Sequence, residues 1–284
     1  MAVAKYGSMA AVVTPAILAA QKTILTNQFK VNSELFEKYE SAIRGYQGDP
    51  LSPSLRMLRS GELEVYYAPF EWVNPAAKVV LVGITPGKVQ ANNALVEAQR
   101  ALVADVPTPE VLRRAKHVGA FSGRMRPTLI ALMDHIGLHR WLGLRTTEEL
   151  FGDGSDLLQT SSLFQYPVFC NGENYSGTTP KPLKDPLLRM QMKDHFGEMA
   201  KSMPDAVFLP LGSAASEGVT WLTEQGYMKK ERVLHGLPHP SPANAERVAY
   251  FLGEKARDKL SVKTSATNLD AAREHLLKTV AALA

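Results

Sequence analysis

Apolar and polar positions follow two different periods along the middle of the chain. Short apolar runs rich in β-branched and aromatic residues, bounded by Gly, Pro or polar clusters, predict strands. Five runs fit this pattern: LEVYYAPF (63–70), KVVLVGI (78–84), DLLQTSSLF (156–164), AVFLPLG (206–212) and ERVLHG (231–236). Apolar residues at helical spacing predict helices over 88–118, with a break at VPTPE. A further helix is predicted through MRPTLIALMDHIGL, with Ser122 as its cap. The remaining helices are predicted near 187–202, 214–224, 245–260 and 269–283.

Strands that alternate with helices predict an α/β fold with a mostly parallel sheet covered by helices on both faces. We expect residues 62–260 to form this domain, preceded by a helical accessory segment (1–61) and followed by a C-terminal helix (261–284). In such sheets ligands bind beyond the carboxyl ends of the strands. The loops after VVLVG, LLQTSS and ERVLHG are therefore expected to converge on one site.

Composition narrows the class of protein further. The 284 residues are 45% hydrophobic and 21% charged, as in ordinary folded proteins, and the net charge of +4 is compatible with a polyanionic partner. The single cysteine, Cys170, excludes a disulfide within the chain and a four-cysteine metal site. We interpret it as a bystander thiol, and its isolation favours a reducing, cytoplasmic setting.

The hydropathy of the chain gives no sign of a membrane partner. No apolar run approaches the roughly 18 residues that span a bilayer. An apolar stretch near the N-terminus is interrupted by Pro15, and Lys22 lies where a signal peptide would have its small-residue cleavage site. We interpret this stretch as an amphipathic helix.

The turn GITPG (83–87) follows the KVVLVGI strand and has the outline of a phosphate-binding loop. Such a loop has Gly, four residues and then Gly-Lys-Ser/Thr. Here only three residues separate the two glycines, and Lys88 is followed by Val89, so the hydroxyl for magnesium is missing. The third glycine of a dinucleotide-binding fingerprint is missing as well. The turn is therefore expected to contact a different ligand.

Two histidines, His235 and His239, lie four positions apart, but Gly and Pro between them exclude the helix that would make them a metal pair. We expect no metal and no cofactor. In HPSPAN (239–244), two prolines stiffen a loop that leads into a helix, and Ser241 or Asn244 can cap that helix. A histidine on a rigid loop at the start of a helix is suited to stabilise developing negative charge.

The segments VGITPG and LHGLPHPSPANAE together resemble the two signature motifs of the uracil-DNA glycosylase superfamily, most closely its single-strand-selective monofunctional branch. GAFSG (119–123) is similar to that family's Gly-x-Phe-Gly segment, and LLQTSSLFQYPVFCNGENYSGTTP is similar to its strand, apolar loop and Thr-Pro stretch. The resemblance covers roughly residues 62–260 in the family's order. It implies a three-layer α/β/α fold with a mostly parallel four-stranded central sheet, and hydrolysis of the base–sugar bond of a flipped-out nucleotide.

The resemblance also implies roles for individual residues. Four residues of the turn would line the base pocket: Gly83, Ile84, Pro86 and Gly87. Phe121 would stack on the flipped base, and Ser161 would bind its edge, with Thr160 and Ser162 as alternatives. His239 would donate to the pyrimidine O2, and Thr85 takes the position of the residue that handles water. The residues that would enter the duplex and contact phosphates are Ser241, Pro242, Ala243 and Asn244.

Three departures from the family pattern argue against plain uracil as the substrate. Thr85 stands where the family has Asn or Asp, and its hydroxyl is a poor general base at neutral pH. Ser161 stands where the family has Asn, and it offers only one donor. The segment 88–120 is longer than in the family, and its candidates for new polar groups at the pocket are Gln90, Asn92, Asn93 and Glu97.

These features favour a monofunctional DNA glycosylase that releases uracil or, preferentially, a modified pyrimidine and leaves an abasic site. The biological settings would be DNA repair or antiviral defence against phage with modified DNA. Two alternatives stay open: a catalytically inactive DNA-binding module of the same fold, and an α/β hydrolase that acts on free nucleosides or nucleotides. We expect a cytoplasmic monomer whose partner is DNA.

Overall fold

A computed structural model describes residues 34–121, 125–152 and 155–283. Its strands, in chain order, are β1 Arg56–Ser60, β2 Leu63–Tyr66, β3 Val79–Gly83, β4 Leu158–Ser162, β5 Val168–Cys170, β6 Glu173–Asn174 and β7 Val207–Pro210. Its helices are α1 (34–44 of the described residues), α2 Lys88–Val103, α3 Thr108–Gly119, α4 Met125–His135, α5 Leu138–Leu142, α6 Pro186–Gln191, α7 Glu198–Lys201, α8 Ser213–Glu224, α9 Ala245–Phe251 and α10 Ala266–Ala281. A π-helical segment, Met192–Gly197, joins α6 to α7.

A parallel sheet with the strand order β4-β3-β7 lies at the centre of the fold. All five residues of β3 are buried, as expected of a strand that is covered on both faces. Val80 and Val82 point into one hydrophobic cluster with residues of α2, α3 and α8. Val79 and Leu81 point into a second cluster with residues of α4, α9 and α10. The prediction of an α/β fold with a mostly parallel sheet is therefore confirmed.

The prediction of four strands in this sheet is not met, because the expected strand 231–236 is reduced to one parallel bridge between Phe208 and Val233. The charged residues Lys230–Arg232 form a 3₁₀ turn instead of extending the strand. Beyond the bridge, Gly236 adopts a φ of 107°, which favours glycine, and the chain leaves the sheet there.

A second, antiparallel sheet with the order β1-β2-β5-β6 was not predicted. The predicted strand 63–70 ends at Tyr66 and belongs to this sheet. Its partner β5 lies in a segment interpreted as loop, since three residues are too short a run to show a period. Phe169 and Tyr66 contact edge to face across this pair, with ring centroids 5.7 Å apart.

The helix predictions hold best where the apolar period is long. The break between α2 and α3 is confirmed at VPTPE. Helix α9 ends at Phe251, earlier than the predicted 260, because Gly253 turns the chain with a φ of 83°. The predicted N-terminal amphipathic helix and the cap Ser122 lie outside the described residues. Among the described helices, none combines the length and the apolar content that a bilayer crossing requires.

Candidate active site

A cavity of about 1080 Å³ opens at the carboxyl ends of the parallel strands, which is where the topology predicts a ligand site. The structure brings most of the predicted site residues to its wall: Gly83, Ile84, Thr85, Pro86, Gly87, Phe121, Ser161, His239, Ser241, Ala243 and Asn244. Pro242 lies apart from this wall, on the exposed tip of the 239–244 loop. These residues come from four separate segments of the chain, so the predicted convergence of the loops is observed.

The predicted stacking residue lies directly against the turn. A Cβ atom built on Gly83 would lie 3.3 Å from Ser162 Oγ and 3.6 Å from Phe121 Cζ. Ser162 pairs with Gly83 at the ends of β4 and β3, whereas Ser161 pairs with Val82. Because side chains alternate along a strand, Ser162 faces Phe121 and Ser161 faces the opposite way, although both line the cavity. The serine next to the aromatic ring is therefore Ser162.

The backbone of Phe121 is strained. Its φ is 46°, in the left-handed region that a bulky side chain seldom adopts. Such conformations cost of the order of 1–3 kcal/mol and persist where surrounding structure enforces them, frequently at functional sites. The strain here orients an aromatic ring against a glycine turn.

The hydroxyl of Thr85 is occupied by two backbone groups. It donates to Tyr166 O at 3.2 Å and accepts from the Val168 N–H at 2.9 Å. These bonds connect the turn to the start of β5 and so join the two sheets at the cavity. A hydroxyl held in this way has little capacity to bind and orient water, so its main role in this structure is to fix the turn.

The far end of the turn is closed by two amide side chains. Asn174 Oδ1 accepts from the Lys88 N–H at 2.8 Å, at the start of α2. A Cβ atom on Gly87 would lie 2.8 Å from Gln90 Oε1 and 3.3 Å from Asn174 Oδ1, so a larger residue would displace the Gln90 side chain and crowd Asn174. The other candidates of this segment lie elsewhere: Asn92 accepts from Tyr46, and Glu97 pairs with Arg100.

His239 is held in a defined tautomer. Its Nδ1 accepts the backbone N–H of Ser241 at 3.2 Å, so the proton of the neutral ring is on Nε2 and can be donated to a ligand. Burial lowers the pKa of His239 below its usual 6.5, which keeps the ring neutral at pH 7. Gly212, with a φ of 83°, approaches the ring closely, since a Cβ there would lie 3.2 Å from His239 Cβ. A neutral, oriented donor at the cavity wall results.

The loop that follows His239 is braced from the next helix. Asn244 occupies the N-cap position of α9, but its side chain makes no capping bond there. Instead it donates to Ser241 Oγ at 3.1 Å and accepts from Arg247 at 2.8 Å. Arg247 also donates to Lys263 O at 3.2 Å, and both of these exposed cationic residues line the rim of the cavity. The predicted helix cap is thus replaced by a lateral network beside a basic rim.

Sequence reasoning missed two buried ionisable residues beside the cavity, Glu71 and Lys116. Both side chains are buried, Lys116 lines the cavity, and its Nζ donates to Phe70 O at 2.8 Å. Burial lowers the pKa of Lys116 to about 7, and the charge of Glu71 partly opposes that shift. Burial likewise raises the pKa of Glu71 to about 7. A lysine in an amphipathic helix reads as a solvated residue, so only the three-dimensional packing reveals this one.

The C-terminal helix also contributes to the cavity. Residues of α10 and of the segment before it line the wall opposite the turn: Ser265, Asn268, Leu269 and Ala272. Glu246 holds that segment by accepting from Ser261 Oγ and Thr264 Oγ1, each at 2.6 Å. No group of three or more His, Cys, Asp or Glu side chains within the described ranges is arranged to bind a metal ion.

Comparison with known proteins shows a relative in Bacillus. The chain is 33% identical over 230 residues to YoxB, an uncharacterized protein of Bacillus subtilis (strain 168), and the aligned region covers 80% of this chain and 90% of YoxB. No family model matches the chain. No solved structure matches it either. Identity at this level over nearly the whole relative shows common descent, and the chain belongs to the same family as YoxB.

Proposed function

We propose that this protein is a monofunctional DNA glycosylase that hydrolyses the N-glycosidic bond of a flipped-out pyrimidine and leaves an abasic site. The strongest support is the position and tautomer of His239, whose Nε2–H lines the same cavity as the glycine turn and the ring of Phe121. The finer assignment of the fold to the uracil-DNA-glycosylase type, with DNA as partner and a cytoplasmic monomer as the working form, belongs to the same proposal.

The proposed reaction uses these groups in sequence. The base enters the cavity and stacks on Phe121, which contributes about 1–3 kcal/mol per base and offsets part of the cost of leaving the helix. The C1′–N bond then breaks, its electron pair stays on the base, and His239 Nε2–H donates to the oxygen on which negative charge develops. Water adds to C1′ of the sugar and loses its proton to solvent, so that the products are a free base and an abasic site.

The departures from the family support a modified pyrimidine over uracil. At the end of β4, the hydroxyls of Ser161 and Ser162 are available to read the edge of the base, where the family has the amide of an Asn. The cavity of about 1080 Å³ slightly exceeds the range of about 300–1,000 Å³ for sites of drug-sized ligands, and it is larger than one unmodified ring requires. The small strand-end side chains and the size of the cavity favour a substituted base.

One observation favours the alternative of a DNA-binding module without catalysis. The hydroxyl of Thr85 is bonded to Tyr166 O and to the Val168 N–H, and a group so placed does not activate water. In the proposed reaction this deficit is tolerable, because a cation-like sugar reacts readily with water and does not need a strong general base. In the binding-module view, the same deficit abolishes hydrolysis while the basic rim of Arg247 and Lys263 still binds DNA.

The experiment that separates these functions uses single-stranded oligonucleotides with one uracil or one modified cytosine. Alkali converts each abasic site into a strand break, and fluorescence anisotropy reports DNA binding on the same oligonucleotides. A glycosylase produces breaks, and His239→Ala lowers their rate by about 10²–10³-fold while binding persists. Binding without breaks would establish the DNA-binding module, and base release from free nucleosides but not from DNA would establish the nucleoside hydrolase.

A further inference from the structure

One apolar side chain near the cavity is unusually exposed. Val262 is the most exposed of the large apolar residues in the described ranges, and it lies between Ser261 and Lys263 in the segment that joins α9 to α10. Single exposed apolar residues are common on protein surfaces and carry no meaning by themselves. The structure around Val262 therefore decides whether it has a function.

The backbone on both sides of Val262 is held in place. The Thr264 N–H donates to Ser261 O at 3.0 Å, which closes a turn over residues 261–264. Val262 occupies one of the two central positions of this turn. Glu246 of α9 fixes both ends, because its carboxylate accepts from the Ser261 N–H at 3.1 Å, and from Ser261 Oγ and Thr264 Oγ1, each at 2.6 Å. A side chain presented on a backbone braced in this way loses little conformational freedom on binding.

The 261–264 turn lies at the mouth of the cavity, since its residue Lys263 lines the cavity wall. Arg247 joins this turn to the loop of the proposed catalytic histidine. It donates to Lys263 O at 3.2 Å and to Asn244 Oδ1 at 2.8 Å. Val262 consequently has a fixed position relative to the site where the base would be released.

The surroundings of Val262 are cationic. Lys263 and Arg247 are exposed, and Arg247 donates to two uncharged groups, so its charge remains available for a phosphate. An apolar tip beside exposed cations fits DNA, whose backbone attracts the charges while an unstacked base step accepts the apolar group. A protein partner fits less well, because its interface requires an apolar area that one valine does not supply.

The 239–244 loop, to which the family resemblance assigns duplex entry, is less suited to this purpose. Ala243 carries only a methyl group, and Pro242 begins a 3₁₀ turn in which its ring is tied to the backbone. The two polar side chains that flank them bond to one another at 3.1 Å. Val262 is therefore the better candidate at this rim for a group that enters the stack of bases.

We propose that the 261–264 turn is a wedge that enters duplex DNA, with Val262 in the space that the flipped base leaves in the stack. This inference rests on the proposed function and names the element that holds the DNA in its flipped state. Lys263 and Arg247 bind the phosphates beside that space. Apolar contact with the bases that remain stacked offsets part of the cost of unstacking, so the wedge acts on duplexes and not on single strands.

The test uses DNA in which this space is already present, so it requires neither the target base nor catalysis. Fluorescence anisotropy gives the Kd of the full-length protein for a duplex with one tetrahydrofuran abasic site and for the same duplex without it. We expect the wild-type protein to prefer the abasic duplex, and Val262→Ser to reduce that preference about 10-fold, the loss of one buried valine side chain. Val262→Leu keeps an apolar tip and should retain the preference. Val103→Ser removes another exposed valine, at the far end of α2, and is the matched control that should behave as the wild-type protein.

Further variants separate the wedge from phosphate contact and from the proposed function. Lys263→Met should weaken binding of both duplexes equally and reduce the salt dependence of Kd. The wedge would be overturned if Val262→Ser kept the wild-type preference, or if the wild-type protein had none; loss of the preference in Pro242→Ser alone would assign duplex entry to the 239–244 loop. Base release from DNA alongside any of these results would leave the glycosylase standing. A preference that depends on Val262, without base release from any DNA, would overturn the glycosylase and leave the wedge in place.

Discussion

The role of Thr85 can be decided by removing its hydroxyl while keeping its shape. Thr85→Val is nearly isosteric, and it deletes the bond to Tyr166 O at 3.2 Å and the bond from the Val168 N–H at 2.9 Å. Val168 is fully buried and Tyr166 nearly so, so neither backbone group regains these bonds from water without local opening. We expect the variant to lose stability because the turn is no longer fixed to β5.

The magnitude follows from the two bonds. A buried donor left without an acceptor costs about 1–3 kcal/mol, and the longer bond adds a net contribution of about 0.5–1.5 kcal/mol. Together these give a loss of about 2–4 kcal/mol in the free energy of unfolding. With a urea m-value near 3 kcal/mol/M, the unfolding midpoint should fall by about 1 M.

The assay is urea unfolding followed by far-UV circular dichroism, with base release measured on the same samples. Thr85→Ser keeps the hydroxyl and should stay close to the wild-type midpoint. Thr160→Val is the matched control, since its hydroxyl lines the cavity and makes no hydrogen bond to the described residues, so its stability should change by less than about 0.5 kcal/mol. If Thr85→Val kept the wild-type midpoint and lost base release, the hydroxyl would be catalytic and the structural role wrong.

Three further predictions address the groups around the cavity. Gly212→Ala places a Cβ 3.2 Å from His239 Cβ, and we expect it to lower base release at least tenfold. The control Gly253→Ala has the same φ of 83° but no described atom within 4 Å of the new Cβ, so thermal unfolding should show only the backbone cost of about 1–2 kcal/mol that both variants share. Equal rates of base release in the two variants would refute the contact with His239. Because burial lowers the pKa of His239, single-turnover base release should stay constant as pH falls through 6.5 and decline only below it; a decline centred at or above 6.5 would contradict the neutral donor. Burial raises the pKa of Glu71 and lowers the pKa of Lys116, each to about 7, so Glu71 favours folding at lower pH and Lys116 at higher pH. Neither group is therefore fully accommodated at pH 7, and Glu71→Gln/Lys116→Met should raise the free energy of unfolding there by about 1–4 kcal/mol. A lower free energy of unfolding in urea would show that burying these two groups does not destabilise the protein.

Features that depend on neighbouring residues in the chain were predictable from the sequence. A continuous valine run identified β3 because a strand buried on both faces needs apolar residues throughout. The glycine turn and the proline-stiffened loop around His239 were recognisable because they depend on backbone preferences of single residues. Their convergence followed from the parallel topology alone.

Features that depend on tertiary packing were not predictable. Lys116 resembles any other charged helical residue in the sequence, and only the fold buries its side chain and brings its Nζ to Phe70 O. The short strand β5 becomes a strand only by pairing with β2, and Thr85 is occupied only because β5 begins beside it. The prediction of a fourth strand at 231–236 was wrong because Lys230–Arg232 form a 3₁₀ turn, and the weak strand pattern of this segment does not override that local structure.

The central claim is that this protein releases a base from DNA, and mass spectrometry of the released material tests it most directly. DNA samples that contain uracil, thymine or one of several modified pyrimidines are incubated with the wild-type protein and with His239→Ala. Small molecules are then separated from the DNA before detection. We predict a free modified pyrimidine in an amount equal to the abasic sites formed, with the variant reduced by about 10²–10³-fold. Rapid release of uracil alone would contradict the modified substrate, and the absence of any free base from every DNA would contradict the glycosylase itself.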